Sequence, residues 1–419
     1  MWFEPNDARM NDNDRTIVGL AMLAHAMVHT FELSIPILVP VWLAEFGTTQ
    51  AVVGVVVSAG YALFGIGALP GGVLADAYGS RRLIAGCLLG MGGAFALLGV
   101  APSLWVVALA LVLWGVAASV YHPSGLALLS KGVTEQGSAF AYHGMAGNLG
   151  IAVGPLVTTL LLLVLDWQTV VVVLAVPAFA AALVALRADV DEAAAVGADG
   201  ANDARADGGV ASVSELVVDS RTLFSGWFVA VFGVVMLSGL YYRGVLTFLP
   251  DLLSGLALFA PVDLAGETLE PARYLYAGLL TVGMAGQYVG GKLTDRMENA
   301  RGIAIAFGVL AALALVFVPA SAAGLGPLLM VSFVLGFFLF VVQPLYQATV
   351  AAYTPPGARG LSYGYTYLGV FGIGALGAAI AGVVLQYASP AALFAVLAVF
   401  ASLASALGIV LSVRAPTTD

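Results

Sequence analysis

Six side chains in this sequence could do chemistry where their neighbours offer none. Glu32 is the one acid, and Arg243 the one basic residue among Lys and Arg, that falls in the middle of a long apolar run; His25, His29, His122 and His143 fall in such runs as well. A charge at the centre of a membrane helix costs roughly 2.5–3.5 kcal/mol on insertion scales, so each is a candidate for function. His25, His29 and Glu32 are spaced i, i+4 and i+7 and share one helical face. A carboxylate beside imidazoles suits proton acceptance and relay, because imidazole titrates near neutral pH. An arginine at matching depth suits either the carboxylate or an anionic substrate. The alternatives are a static ion pair and hydrogen-bonded structural histidines. Tyr121 and Tyr242 flank His122 and Arg243 and are candidates for lining the same cavity. The His25-x-x-x-His29 spacing also suits two metal ligands on a helix. There is no His-Glu-x-x-His, however, and Cys87 is the only cysteine, so no metal site is expected.

The elements that must position these groups are membrane helices. Of the 419 residues, 61% are hydrophobic and only 9% are charged, with mean hydropathy +1.01. A soluble chain carries about 25% charged residues. Apolar runs of about 20 residues recur along the chain, enough to cross a hydrocarbon core of about 30 Å. They are continuous, which excludes the short alternating strands of a barrel. The fold class expected is an all-α polytopic membrane protein of about twelve transmembrane helices. The first apolar run is too long for a cleavable signal. No phosphate loop is present, so no ATP drive and no cofactor are expected. The net charge of −9 concerns solubility more than substrate, and no nucleic-acid partner is expected. Acids crowding the loops resemble the surface of a protein from a high-salt cytoplasm, a halophile.

Residues 1–186 hold a polar tail and six apolar runs, and residues 222–419 hold six more. Between them, 187–221 is polar and rich in Asp, Ala and Gly, and reads as a flexible cytoplasmic linker with room for one short helix. If the helices alternate, all of the 15 Lys and Arg residues except Arg243 and Arg273 fall on one side. That side is cytoplasmic by the positive-inside rule, with both termini on it and the plasma membrane as the expected location. The halves repeat. Gly115 and His122-Pro123 match Gly336 and Gln343-Pro344 at identical spacing, and Pro40 matches Pro250. Glu32 then aligns with Tyr242, next to Arg243, and the two lone charges are expected to meet. Two similar six-helix bundles with a site between them is how many secondary transporters are built.

The loop Gly72-Val-Leu-Ala-Asp76-Ala-Tyr-Gly79-Ser-Arg81-Arg82 has a partial copy, Gly291-Lys-Leu-Thr-Asp295-Arg296, between corresponding runs of the second half. With twelve helices and a middle linker, these motifs resemble the major facilitator superfamily. The second copy has Glu298 where its second glycine would fall. The resemblance implies that the acid and arginines of the loop latch the halves in one state of alternating access. Ala118-Ser-Val-Tyr-His122-Pro123, Gly147-Asn148-Leu-Gly150 and Gly154-Pro155 look like the fosmidomycin-resistance branch, whose best-known members are drug exporters driven by proton antiport. Gly150-x-x-x-Gly154-Pro155 also resembles part of the antiporter motif, although Ala141 and Thr158 stand where that motif prefers glycine.

The expected function is proton-coupled export of a small drug-like or anionic molecule by a monomer. Glu32 is the expected proton acceptor, Arg243 its partner or the substrate's counter-charge, and His29 and His122 the relay. Uptake of an organic acid or sugar by the same fold is the alternative. An enzyme is not expected, since no nucleophile or metal constellation falls at one depth. Gly60, Gly65 and Gly67, with Gly283, Gly286 and Gly290 and with Gly369 to Gly377, are expected to serve close packing and sliding. His143 shares a face with Gly147, Gly150 and Gly154, which is expected to pack closely on another helix.

Overall fold

The computed structural model describes residues 10–196, 213–264, 266–355 and 358–415. Arg9, Arg205 and residues 197–212 of the linker therefore lie outside the described residues. The first half contains α1 (Asp12–Glu45), α2 (Gln50–Ile66), α3 (Ala68–Tyr78), α4 (Ser80–Leu98), α5 (Leu104–Ser119), α6 (Tyr121–Gly132), α7 (Gln136–Leu161) and α8 (Trp167–Arg187). After the short α9 (Val213–Phe224) the second half contains α10 (Phe228–Leu246), α11 (Leu249–Ser254), α12 (Pro271–Thr294), α13 (Asn299–Ala323), α14 (Leu325–Ala352), α15 (Arg359–Tyr367), a π-helical turn (Leu368–Ile373), α16 (Leu376–Tyr387) and α17 (Pro390–Arg414).

Among the described residues, ten spans are long and apolar enough to cross a membrane, and eleven if α2 and α3, bent by 47°, form one. The twelfth expected span is α12. Its glycines and tyrosines make it less apolar, but its 24 residues extend about 36 Å at 1.5 Å per residue. The break between α5 and α6 follows from Pro123, which has no N–H to give the carbonyl four residues back. The insertion after α11 carries a small antiparallel hairpin, Val262–Leu264 (β1) with Glu267–Leu269 (β2).

The repeat is built into the packing. In the first half α2 lies on α5 so closely that a Cβ on Gly115 would stand 2.0 Å from the Gly60 carbonyl; in the second, one on Gly336 would stand 2.4 Å from the Leu279 carbonyl, where α14 lies on α12. The glycine face of α7 packs on α1 as expected: Cβ atoms on Gly147, Gly150 and Gly154 would meet His25, Ala26 and Thr30. The two halves meet along α2 against the π turn and α16, along α7 against α12, and at α1 against α11. At the first seam Gly65 and Gly372 touch backbone to backbone, a Cβ on Gly65 standing 1.9 Å from the Gly372 nitrogen. The Ser58 hydroxyl donates to the Ala375 carbonyl at 2.8 Å across the same seam.

The linker is docked at its start. The Glu192 carboxylate accepts from the backbone N–H groups of Ser80 and Arg81 at 2.7 and 3.2 Å, where α4 begins with unpaired donors. Asn13 binds Asp191 through both its amide groups. The stretch just after Arg187 is therefore tied to the first half, which the sequence reading as a free linker did not anticipate.

Candidate functional site

Six positions from three spans of the first half and one of the second converge at the centre. Glu32 and Arg243 are each only 1% exposed. The Arg243 Nη2 donates to Glu32 Oε1, so the lone charges pair across the two halves. The guanidinium carbon lies 3.6 Å from the centre of the Tyr61 ring, with Tyr242 and Phe371 at 5.4 and 5.5 Å. Aromatic faces attract a cation, more so when desolvated. The Tyr61 hydroxyl donates to the Glu32 carbonyl at 2.9 Å, which fixes the ring under the guanidinium.

The other Glu32 oxygen, Oε2, lies 2.6 Å from Nδ1 of His29. The His29 Nε2 lies 3.1 Å from Nε2 of His25, and the His25 Nδ1 lies 2.8 Å from the His143 carbonyl. The i, i+4, i+7 spacing on α1 thus becomes a line of polar atoms. The His143 ring stacks on His25 with centroids 3.9 Å apart. His122, placed by the α5–α6 break, stands 5.4 Å from His25 and 5.7 Å from His29, centroid to centroid. Its other side meets Tyr367 of the second half at 4.7 Å. One ring nitrogen from each of His25, His29 and His122 lies within 4.8 Å of the other two. Tyr121 is buried, donates to the Ala21 carbonyl and stacks on His25.

The structure brings together Glu32, Arg243, His25, His29, His122, His143, Tyr121 and Tyr242. Gln343 lies half-buried on α14 at the repeat position of His122. Sequence reasoning left Tyr61 between lining and simple packing, favoured lining only for Tyr121 and Tyr242, and missed Tyr367 and Phe371. Tyr61 follows the expected packing residue Gly60, which was the available signal. The other two have none beyond aromaticity.

The loop residues are arranged differently from the expectation. Asp76 pairs with Lys131 at 2.7 Å, and the Arg81 guanidinium donates to the Ala185 and Leu186 carbonyls at 3.0 Å. These partners all lie in the first half, so in this conformation those bonds brace one bundle. Arg82, Asp295 and Arg296 are exposed. Gly79, with φ +85°, makes the turn into α4. Gly72 and Gly291 face open space. The close approaches are made one residue earlier, by Gly71 against Pro123 and by Gly290 against Val341. At the opposite end of the molecule a cavity of about 260 Å³ is lined by Pro40, Pro250, Glu270 and Arg273, among others.

Two helical bundles closing on a buried charge pair define the fold of a membrane transporter rather than an enzyme. The chain belongs to the Major Facilitator Superfamily, whose family profile matches residues 19–377 and 274–419. Among curated relatives, the puromycin resistance protein pur8 of Streptomyces alboniger is 43% identical over 103 residues, 24% of this chain and 20% of that one. A multidrug resistance protein B homolog of Mycobacterium tuberculosis is 29% identical over 178 residues, 40% of this chain and 33% of that one. The matched segments thus span a fifth to a third of those relatives. Among solved structures, the nucleoside transporter NupG (D323A mutant) aligns with TM-score 0.74 at 14% identity, covering 94% of this chain and 99% of that one. A bacterial homolog of the human lysosomal transporter Spinster, inward-facing and occupied, aligns with TM-score 0.71 at 14% identity, covering 96% and 97%. These structural likenesses establish the fold. The protein is a multi-pass membrane protein with a transporter fold.

Proposed function

We propose that this protein exports a small drug-like or anionic molecule in exchange for protons across the cell membrane, as a monomer with both termini in the cytoplasm. The observation that carries the reading is the bond from Arg243 to Glu32, one lone charge from each half, buried at the meeting point. A carboxylate holds the guanidinium only while ionised. Protonating Glu32 weakens the attraction between the halves and frees Arg243 to take an anionic group of the substrate. An anionic substrate and the ionised Glu32 carboxylate then compete for Arg243, and that competition couples substrate binding to the protonation of Glu32. His29, bonded to Glu32, passes protons to and from it, and His25, His122 and His143 extend the path. Asp76, Arg81 and Arg82, with Asp295 and Arg296, form the gate region in which latch contacts between the halves exchange during the cycle. The relatives' names, puromycin resistance and multidrug resistance, support a drug-like cargo.

Everted and right-side-out vesicles test direction: a proton gradient should drive accumulation of a drug panel in everted vesicles. Import into right-side-out vesicles down a proton gradient would overturn export in favour of organic acid or sugar uptake. Glu32→Gln should abolish proton-driven transport while substrate exchange persists. Wild-type proton dependence in that variant removes Glu32 from the role.

A further inference from the structure

We infer that the line Glu32–His29–His25–His143 carbonyl holds one proton more than an ionised carboxylate and two neutral imidazoles contain, so that the proton-binding group is the whole line, with His25 at its far end. This inference deepens the proposed function and rests on it for its role in transport.

Three hydrogen bonds run in series, Glu32 Oε2 to His29 Nδ1, His29 Nε2 to His25 Nε2, and His25 Nδ1 to the His143 carbonyl. Each needs one hydrogen. A carbonyl only accepts, so His25 Nδ1 carries its hydrogen. An ionised carboxylate also only accepts, so His29 Nδ1 carries the second. Two neutral imidazoles are then used up, and both Nε2 atoms would face each other at 3.1 Å with lone pairs alone. The middle bond requires a third hydrogen. Placing a proton on Glu32 instead leaves the total unchanged, because the other hydrogens then shift along the line. The count therefore does not depend on which group carries the charge.

The surroundings suit a single added proton. Without it the line carries one negative charge, which Arg243 balances; with it the line is neutral and the Arg243 charge is left to the rings of Tyr61 and Tyr242. From α6 the group is faced by His122 and Tyr121, the latter with Cys87 of α4 behind it. From α7 it is faced by His143, whose Nε2 has no hydrogen-bond partner among the described residues. From the second half the facing groups are Arg243 and Tyr242 of α10, Tyr276 of α12 and, beyond His122, Tyr367 of α15. None of these is a second carboxylate, so a divalent cation here would rest on imidazoles and on a Glu32 carboxylate already paired with Arg243. Loss of the proton leaves two lone pairs at 3.1 Å, and the rings must part. His25 is bonded to α7 while His29 is bonded to Glu32, so parting them alters how α1 sits on α7, the helix that also meets α12 of the second half.

The chain has four histidines, so protein carrying 15N-histidine resolves them individually. In purified protein at pH 7, nitrogen NMR should show a nitrogen–nitrogen coupling across the His25–His29 hydrogen bond. The ring nitrogens of these two residues, together with an infrared carboxylic-acid band of Glu32, should account for three protons. Two protons, or no coupling, overturn the inference. So does a stoichiometric metal found by elemental analysis whose removal by chelator abolishes the folded-state signals, because the bridging cation is then the metal. These readouts need no substrate. A three-proton line combined with wild-type proton coupling in Glu32→Gln would leave this inference standing and remove the transport role proposed above.

Discussion

The bond between Glu32 and Arg243 can be measured by a double-mutant cycle. Glu32→Gln removes the charge but keeps an oxygen that accepts from His29. Arg243 is then buried with no anion. Breaking a buried pair from one side costs about 3–5 kcal/mol, and the Tyr61 ring 3.6 Å away offsets up to about 2 kcal/mol of this, so the variant should lose about 3 kcal/mol. Arg243→Met leaves the carboxylate with His29 as its partner and should lose about 3–4 kcal/mol by the same reasoning. Independent sites would sum to about 6–7 kcal/mol. The double variant contains neither buried charge and should lose only about 1–3 kcal/mol, which gives a coupling energy of about 4 kcal/mol. Reversible unfolding of the four proteins in mixed micelles measures it. A coupling below about 0.5 kcal/mol is what unconnected sites give, and it would refute both the pairing and the account of exchange built on it.

Three further outcomes follow from other parts of the structure. Gly65→Ala places a Cβ 1.9 Å from the Gly372 nitrogen and should force the halves apart at that seam; in a Cys87→Ser background, a cysteine at Leu69, which borders Gly364 of the other half, should label at least several-fold faster, and an unchanged rate contradicts the seam. Gly150→Val drives a side chain against the Ala26 carbonyl, where even a Cβ would stand at 2.2 Å, and should cost at least about 1–3 kcal/mol of stability, seen as lost monodisperse protein; a wild-type yield and melting temperature contradict the close packing of α7 on α1. The Asp166 carboxylate accepts from the Thr169 N–H and hydroxyl at 2.7 and 3.1 Å, and these bonds hold it below the usual carboxylate range; the stabilisation is complete above the unfolded value of about 3.9 and is lost as pH falls through the folded value, so hydrogen exchange at the start of α8 should quicken only in acid. Pronounced acceleration near pH 6 would contradict that cap.

Much of this was legible in the sequence, for identifiable reasons. Membrane helices announce themselves by length and hydropathy, and the repeat was readable because Gly115 and Gly336 recur at equal distances from His122 and Gln343. The meeting of Glu32 with Arg243 followed from that repeat plus the cost of burying either charge alone. The line through His29 to His25 needed only helical spacing. Three things were hidden. Tyr61 beneath the guanidinium depends on how α2 crosses α1, and periodicity carries no information on crossing. The motif shows Gly72 and Gly291, but the close contacts fall on Gly71 and Gly290, because a step of one residue turns a helix by about 100°. The docking of Glu192 at the start of α4 was masked by composition, since one acid in an Asp- and Ala-rich stretch looks like any other.

That same 100° gives the π turn at Leu368–Ile373 its significance. One surplus residue wound into a helix dephases everything beyond it from everything before. Cβ atoms on Gly369 and Gly374 would meet α10, while Gly65 of the opposite half abuts Gly372 between them. A single rod is thereby made eccentric, like a cam with lobes on two sides. Shifting the surplus residue by one position along the rod would swap which neighbour feels a lobe, and Phe371, 5.5 Å from the Arg243 guanidinium, would travel with it.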